Sequence, residues 1–190
     1  QVFTRGGTGC LIKFFLSSLL PLLFCALPDG QRAELINGQL FDMAPPNRIH
    51  QKLVSKLSTI FWNYIEANQG SCEVYPAPFA VFLNKDDKTY VEPDISIICE
   101  KDKLSDRGCE GAPDFVIEIV SPATQKRDYG IKLFKYRAAG VREYWIVNPA
   151  KEIVNVYNFE AEEDCNLYSF DDPIPSGIYP GFFVCIRELL

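Results

Sequence analysis

Apolar and polar residues alternate along this chain with two different periods, which predict a mixture of strands and helices. Between Arg48 and Asn68, apolar residues recur at intervals of three and four, which predicts a long helix with one face on the core. Ahead of it, Asn37-Gly38 separates two short apolar runs, a pattern typical of a β-hairpin with a type I′ turn. Further β-branched and apolar runs predict strands at 72–75, 79–83, 91–99, 115–120, 143–147 and 153–159.

A second helix is predicted from Lys126 to Ala139, directly before Gly140. One of its faces is polar and carries Asp128, Lys132 and Tyr136 at intervals of four. The other face is expected to lie on the sheet and is formed by Ile131, Phe134 and Ala138. This order of elements predicts an α/β or α+β fold in which helices flank a mixed sheet.

Residues 27–190 are predicted to form one domain, because no linker or repeat divides them, whereas residues 1–26 form an apolar N-terminal segment. The run from Phe14 to Leu27 has the cationic start of a signal peptide, but it contains Pro21 and is short for a membrane span. Three interpretations stay open: a buried amphipathic helix, a secretion signal, or a corrupted sequence. The helix is favoured, because the cysteine pattern and the residues that follow are typical of a cytosolic protein.

Composition excludes several classes of protein. The net charge is −6, so any nucleic acid has to contact a local basic face rather than the molecule as a whole. Seven cysteines contain no C-x-x-C pair, which argues against a zinc ribbon and a disulfide framework and suits a reducing cytosol. The single histidine, His50, offers little material for a His-rich metal site or a Ser-His-Asp triad.

Two carboxylates at strand boundaries are the leading candidates for chemistry. Asp94 follows a proline at the front of one strand, and Glu118 lies near the end of another, between Val116 and Val120 on one strand face. If these strands are neighbours, both carboxylates converge on one edge of the sheet. A buried, unpaired Glu118 is unfavourable, and a divalent cation would relieve that penalty. The alternative is a carboxylate that pairs with an arginine or caps a loop.

Four further side chains are candidates for the same site. Lys132 lies one turn into the helix that follows Glu118, where its ammonium could orient water or stabilise charge on a phosphate; a solvated helix face is the alternative. Tyr136 shares its face. His50, in the first turn of the long helix, is an accessory candidate, although a lone histidine is more often a capping or core residue. Glu34 is another accessory candidate, with an exposed strand carboxylate as the plainer interpretation.

Six short blocks occur in a fixed order from about Leu27 to the C-terminus. They are 33–38 (AELING), 43–46 (MAPP) with His50-Gln51, 91–94 (VEPD), 111–122 (GAPDFVIEIVSP), Lys132 with Tyr136, and 140–147 (GVREYWIV). Together they resemble the Uma2 family of restriction endonuclease-like proteins. The ordered set is much more specific than any one block.

This resemblance implies the PD-(D/E)xK nuclease fold, a mixed sheet flanked by helices, here with an N-terminal hairpin and long helix. Asp94 would be the PD aspartate, Glu118 the (D/E) carboxylate, and the backbone carbonyl of Ile119 a further metal ligand. The chain departs from the nuclease motif at Val120, which stands where the motif has its lysine. Lys132 is then the best candidate for a lysine that has moved from the strand to another element. Because of this exchange, the sequence does not decide whether the protein cleaves DNA.

The sequence therefore predicts a cytoplasmic endonuclease that uses Mg²⁺ or Mn²⁺ to hydrolyse DNA, with no membrane partner. Asp94 and Glu118 would bind the metal, and Lys132 would position water or stabilise the transition state. A homodimer is expected, because cutting both strands with one site per chain favours two copies. One rival is a non-cleaving binding module of the same fold, with a nucleic-acid or protein partner. A secreted hydrolase is a third option and depends on the segment from Phe14 to Leu27.

Overall fold

The computed structural model describes residues 31–84, 88–162 and 165–190. The predictions for the N-terminal apolar segment lie outside these residues. None of the helices in the described part of the chain has the length and apolarity needed to cross a membrane. The helices and strands, in chain order, are β1 (Ala33–Ile36), β2 (Gln39–Asp42), α1 (Arg48–Ala67), β3 (Glu73–Pro76), β4 (Val81–Phe82), β5 (Ile95–Ile98), a 3₁₀ turn (Lys101–Lys103), β6 (Leu104–Ser105), β7 (Gly108–Glu110), β8 (Phe115–Ile119), α2 (Gln125–Arg127), a π-helical turn (Asp128–Lys132), α3 (Leu133–Ala139), β9 (Glu143–Asn148), β10 (Ile153–Asn158), β11 (Cys165–Ser169), β12 (Ile174–Pro175), β13 (Phe183–Val184) and a 3₁₀ turn (Ile186–Leu189).

A six-stranded sheet in the order β11-β10-β9-β8-β5-β3 forms the centre of the fold. Strands β8 and β9 are parallel, and the other neighbours are antiparallel. Parallel neighbours need a crossover connection, and here α2, the π-helical turn and α3 supply it. In a smaller three-stranded sheet β7 lies between β4 and β6, and two further pairs are β1 with β2 and β12 with β13. Helices flanking a mixed sheet confirm the predicted fold class.

Helix α1 covers one face of the central sheet with its predicted apolar stripe. Phe61 of this helix is fully buried, and the centroid of its ring lies 5.1 Å from that of Phe115 and 5.8 Å from that of Trp145. Along β8 the side chains alternate between two cores, as the period of two predicts. The core under α1 takes Phe115, Ile117 and Ile119, and the core on the other face takes Val116 and Val120.

The N-terminal hairpin has the predicted turn and docks on the second core. Asn37 and Gly38 both have positive φ angles, +54° and +78°, as a type I′ turn requires. The backbone of Leu35 exchanges two hydrogen bonds with Tyr90, of 2.8 and 2.7 Å. Strand β1 is buried along its whole length as a result. The hairpin therefore delivers Glu34 into the interior of the molecule.

The predicted second helix is present, and a π-helical turn divides it into α2 and α3. Its polar face is buried, whereas the apolar face was expected to be. Lys132 and Tyr136 are at most 3% exposed, whereas Phe134 is 70% exposed and Ala138 is also exposed. The prediction that Phe134 and Ala138 would face the sheet was therefore wrong, and only Ile131 packs against the second core. The reason is electrostatic, because carboxylates on the sheet side hold the lysine inward.

Two features of the sheet were not predicted. Strand β11 lies beyond the last strand predicted from the sequence, at 153–159, and it pairs with β10. Cys72 and Cys99 form a disulfide with an S–S distance of 2.09 Å. They flank the antiparallel pair β3–β5, which brings residues 27 apart in sequence together. The expectation that the cysteines form no disulfide is corrected for this pair.

Replacing Phe61 by alanine tests the core under α1. We expect a loss of about 3–5 kcal/mol in the free energy of unfolding, because a fully buried ring that packs on two others leaves a cavity. Trp62→Ala, at the neighbouring residue that is 49% exposed, is the matched control and should lose about 1 kcal/mol or less. Urea unfolding of both variants checks this. Equal losses would contradict the assignment of Phe61 to the centre of the core.

Candidate functional site

Asp94 and Glu118 meet because β5 and β8 are antiparallel neighbours. Their register pairs Ile95 with Ile117, so the start of β5 lies beside the end of β8. Asp94 directly precedes β5, and its Oδ2 accepts a 2.7 Å hydrogen bond from the backbone N–H of Ile119. Asp94 is thus fixed to the residue that follows Glu118. The convergence of the two carboxylates on one edge, a prediction from strand boundaries, is present.

Glu118 is buried and is held from the helix side. Its Oε1 accepts a 2.6 Å hydrogen bond from Nζ of Lys132 and a 2.8 Å hydrogen bond from the hydroxyl of Tyr136. Residues 132 and 136 are one helical turn apart, so the two donors stack on one side of the carboxylate. Lys132 therefore brings its ammonium to the carboxylate beside Val120, from the following helix rather than from the strand.

The ammonium of Lys132 is shared among three carboxylates. Its Nζ lies 2.6 Å from Oε1 of Glu118, 2.7 Å from Oε1 of Glu34 and 3.7 Å from Oδ1 of Asp128. Lysine and glutamate side chains are at most 6% exposed in both pairs. Four elements therefore meet here: the hairpin, β8, the π-helical turn and, through Tyr136, α3.

Burial and mutual charge shift the pKa values of this cluster. Burial raises the pKa of Glu118 from 4.5 to about 8, against the opposing effect of the Lys132 charge, while the charges of Asp128 and Asp94 add to the rise. Burial also raises the pKa of Asp128. Burial alone would lower the pKa of Lys132, but Glu118 and Glu34 raise it well above its ordinary value. Lys132 is therefore a cation at neutral pH, and Glu118 holds its proton to a higher pH than an exposed glutamate does.

His50 and Asp94 form the more open part of the site. The Nε2 of His50 lies 3.1 Å from Oδ2 of Asp94, and the two side chains are 17% and 15% exposed. His50 stands in the first turn of α1, and Asn47, not His50, caps that helix by accepting from the His50 backbone N–H. Its Nδ1 is buried without a hydrogen-bond partner in the described part of the molecule.

Glu34 differs from its plainer interpretation as an exposed strand carboxylate, which was wrong. It is fully buried, and its Oε1 also accepts a 3.2 Å hydrogen bond from the backbone N–H of Glu92. Glu92, the acidic residue of the VEPD block, is held by Arg32 and by the hydroxyl of Tyr90. Glu92 thus anchors the β1 side of the site. The local sequence pattern did not indicate that Glu34 is buried, because its burial depends on the contact of the hairpin with residues far away in sequence.

Arg127 belongs to the site but was missed from the sequence. Its Nε lies 3.4 Å from Oε2 of Glu34, and its guanidinium carbon is 5.3 Å from the ring centre of Phe41. Both partners come from the hairpin, which is far from Arg127 in sequence. Charge on a predicted helix was the only available signal, and it does not distinguish a buried contact from a solvated one.

The donor set suits a hard divalent cation that keeps much of its water. Oδ1 of Asp94 and Oε2 of Glu118 have no hydrogen-bond partner among residues 31–84, 88–162 and 165–190. Within the same ranges no group of three or more His, Cys, Asp or Glu side chains is arranged around a common point to hold a metal. Mg²⁺ is usually bound through one or two carboxylates with several waters, so two acids are enough for it but not for a dehydrated cage.

Comparison with known proteins agrees with this fold. Residues 20–182 match the model of the Uma2 family, described as "Putative restriction endonuclease". The match spans most of the chain, so the chain belongs to the Uma2 family.

Two relatives illustrate the similarity. A crystal structure of a "putative nuclease belonging to DUF820" from Anabaena variabilis ATCC 29413 superimposes with a TM-score of 0.70 at 19% identity, over 87% of this chain and 94% of that one. Uncharacterized protein slr1290 of Synechocystis sp. is 24% identical over 141 residues, which is 74% of this chain and 73% of the relative. The crystal structure has the same fold as this chain.

Replacing Lys132 by methionine should destabilise the protein in a pH-dependent way. At pH 8 we expect a loss of about 3–5 kcal/mol in the free energy of unfolding, because three buried carboxylates lose their shared cation. Without the ammonium the folded-state pKa of Glu118 rises further above its unfolded value of 4.5. The folded variant then binds more protons than the unfolded chain, so the loss should shrink as the pH falls towards 5.

Urea unfolding at pH 5 and pH 8 measures this difference. The control is Lys135→Met, which removes a half-buried lysine from the same helix. It should change stability by roughly 0.5 kcal/mol at either pH. A loss for Lys132→Met that is the same at both pH values would contradict the charge cluster.

Proposed function

We propose that this protein is a divalent-cation-dependent endonuclease that hydrolyses phosphodiester bonds of DNA. One observation carries the proposal: Asp94 and Glu118 share an edge of the sheet, and the ammonium of Lys132 lies 2.6 Å from Glu118. Two acids and an amine at one point are the side chains that a metal-dependent phosphodiesterase needs. Membership of the Uma2 family supports the nuclease class, and the substrate and the cation are our inference.

Asp94 and Glu118 would hold the cation, together with the backbone carbonyl of Ile119. A bound Mg²⁺ or Mn²⁺ would supply a water of lowered pKa and neutralise charge on the phosphate. Asp94 is prepared for this role, because the Ile119 N–H fixes one of its oxygens. The pKa of Glu118, raised by burial, makes its ionised form expensive unless a positive charge is near.

Lys132 and Tyr136 would orient Glu118, and Lys132 would also supply a positive charge near the reacting phosphate. Lys132 donates to Glu118 and keeps its full charge, so its buried ammonium would orient Glu118 and stabilise negative charge on a phosphate at the same edge through its field. Burial raises the pKa of Tyr136 well above its ordinary value, so its hydroxyl stays protonated and donates to Glu118. The lysine of the nuclease motif is thus replaced in function by one from the helix. His50 beside Asp94 and Glu34 beside Lys132 would be accessory residues.

A binding module without cleavage is the rival function. It is favoured by one observation: in the described ranges no three metal-ligating side chains surround a common point, and Lys132 already neutralises the acids. Such a module would bind nucleic acid or a protein partner through the same edge.

For the nuclease, we propose a homodimer in which two copies cut the two DNA strands.

Asp94→Asn and Glu118→Gln should remove cleavage of plasmid DNA in Mn²⁺. We expect each to lower the rate by about 10²–10³-fold or more, because each deletes a charge at the reacting phosphate and keeps the side-chain shape. Asp106→Asn, at an exposed loop carboxylate, is the control and should cut like the wild type. Agarose gels of a nicking time course provide the measurement. Variants that stay folded and cut at the wild-type rate would refute the nuclease.

Calorimetric titration with Mn²⁺ separates the two functions without any substrate. Wild type and Asp106→Asn should bind with the same affinity, and Glu118→Gln should bind at least tenfold more weakly, since one of two carboxylate ligands is gone. The affinity for Mn²⁺ should also fall as the pH is lowered, because burial raises the pKa of Glu118 and protons compete with the cation for it. A wild type that takes up no Mn²⁺ would favour the binding module.

A further inference from the structure

We propose that Arg127 binds a phosphate of the DNA strand beside the reacting one and so positions the substrate. The inference rests on the proposed function, since it assigns a substrate contact to the same site. Arg127 ends α2, directly before the π-helical turn that carries Lys132. It is an additional member of the site and is not one of the residues that the sequence indicated.

Arg127 contacts the charge cluster through Glu34, and its charge also acts to lower the pKa of Asp128, against the effect of burial. Glu34 faces Lys132 with one oxygen, at 2.7 Å, and Arg127 with the other, at 3.4 Å. The two cations therefore lie on opposite oxygens of one buried group. The carboxylate fixes how far the guanidinium stands from the ammonium, and hence from the edge where Glu118 lies.

Most of the donors of Arg127 remain available. A guanidinium has five N–H donors. At 3.4 Å from Glu34 the Nε forms no hydrogen bond, and the two terminal amino groups have no partner in the described part of the chain. The side chain is 14% exposed, in contrast to 0% for Glu34, so its outer edge reaches solvent while its inner edge does not.

The orientation of the guanidinium is set in advance. The ring of Phe41 supports it from the hairpin, with the guanidinium carbon 5.3 Å from the ring centre. The aromatic ring on one side and the carboxylate near Nε restrict the guanidinium, and its two terminal amino groups have no protein partner among the described residues. The planar fork of a guanidinium matches the two oxygens of a phosphodiester and does so better than a lysine would.

A purely structural role would be different in its consequences. If Arg127 only neutralised Glu34, its removal would change stability and leave the number of phosphate contacts unchanged. The salt dependence of binding distinguishes the two roles, because the slope of log K against log [salt] falls by about one for each phosphate contact that is lost.

The test is binding of a fluorescein-labelled 20-base-pair duplex, followed by anisotropy in Ca²⁺ between about 50 and 200 mM salt. We expect Arg127→Ala to bind about 10–100-fold more weakly and to lose about one unit of slope. Arg127→Lys should keep the slope and bind about tenfold more weakly, because it retains the charge and loses the fork. Lys126→Ala, at the exposed neighbouring lysine, is the matched control and should stay within about twofold of the wild type.

The outcomes separate this proposal from the nuclease itself. Arg127→Ala that matches Lys126→Ala in affinity and slope overturns the phosphate contact, even if the wild type cuts DNA in Mn²⁺. A wild type that binds the duplex but never cuts it refutes the nuclease and leaves the slope result to decide on Arg127. A wild type that binds no DNA overturns both. Should Arg127→Ala fail to fold by circular dichroism, Arg127→Lys decides, and wild-type affinity for it overturns the proposal.

Discussion

The ammonium of Lys132 among buried carboxylates is the interaction on which the arrangement of the site depends. Glu34, Glu118 and Asp128 come from three different elements, and each lies within 3.7 Å of the same nitrogen. Taking any of these charges out of water costs several kcal/mol unless it is paired. The packing of the hairpin, β8 and the π-helical turn is therefore stabilised by the mutual neutralisation of these groups. An apolar interior would have been a simpler way to hold the elements together, so this cluster is not what stability alone would favour.

The sheet explains how a lysine from the helix reaches Glu118. Residues 116, 118 and 120 of the chain share one side of β8, and Val116 and Val120 belong to the second core. A lysine at position 120 would have to leave that core to reach Glu118. The helix that follows packs on the same face, and its lysine arrives directly over Glu118 at 2.6 Å. The π-helical turn of Asp128–Lys132 lies at this point of contact, and π-helical turns are often found at functional sites.

Local patterns predicted the parts of the fold that local physics determines. The Asn37-Gly38 turn, the alternation in β8 and the apolar stripe of α1 all depend on residues close in sequence, and they are present. The convergence of Asp94 and Glu118 also followed, because it requires only that two predicted strands be neighbours. What failed was the choice of face for the second helix. That helix has an apolar and a polar side, and the Phe134 side would be buried if packing alone decided. Carboxylates delivered by distant elements turn the other side inward, and no window of sequence contains them.

The site has a buried half and a half that is partly open to solvent. Glu34 and Lys132 are closed off from water, while Asp94 and His50 keep 15% and 17% of their side-chain surface exposed. Glu118 stands between the halves, and Lys132 and Tyr136 both occupy its Oε1. Its other oxygen is left for whatever enters from the side of Asp94. A cation and the ammonium can then neutralise one carboxylate from opposite sides without displacing each other. For the proposed function, the buried lysine would not compete with the cation but would keep Glu118 oriented for it.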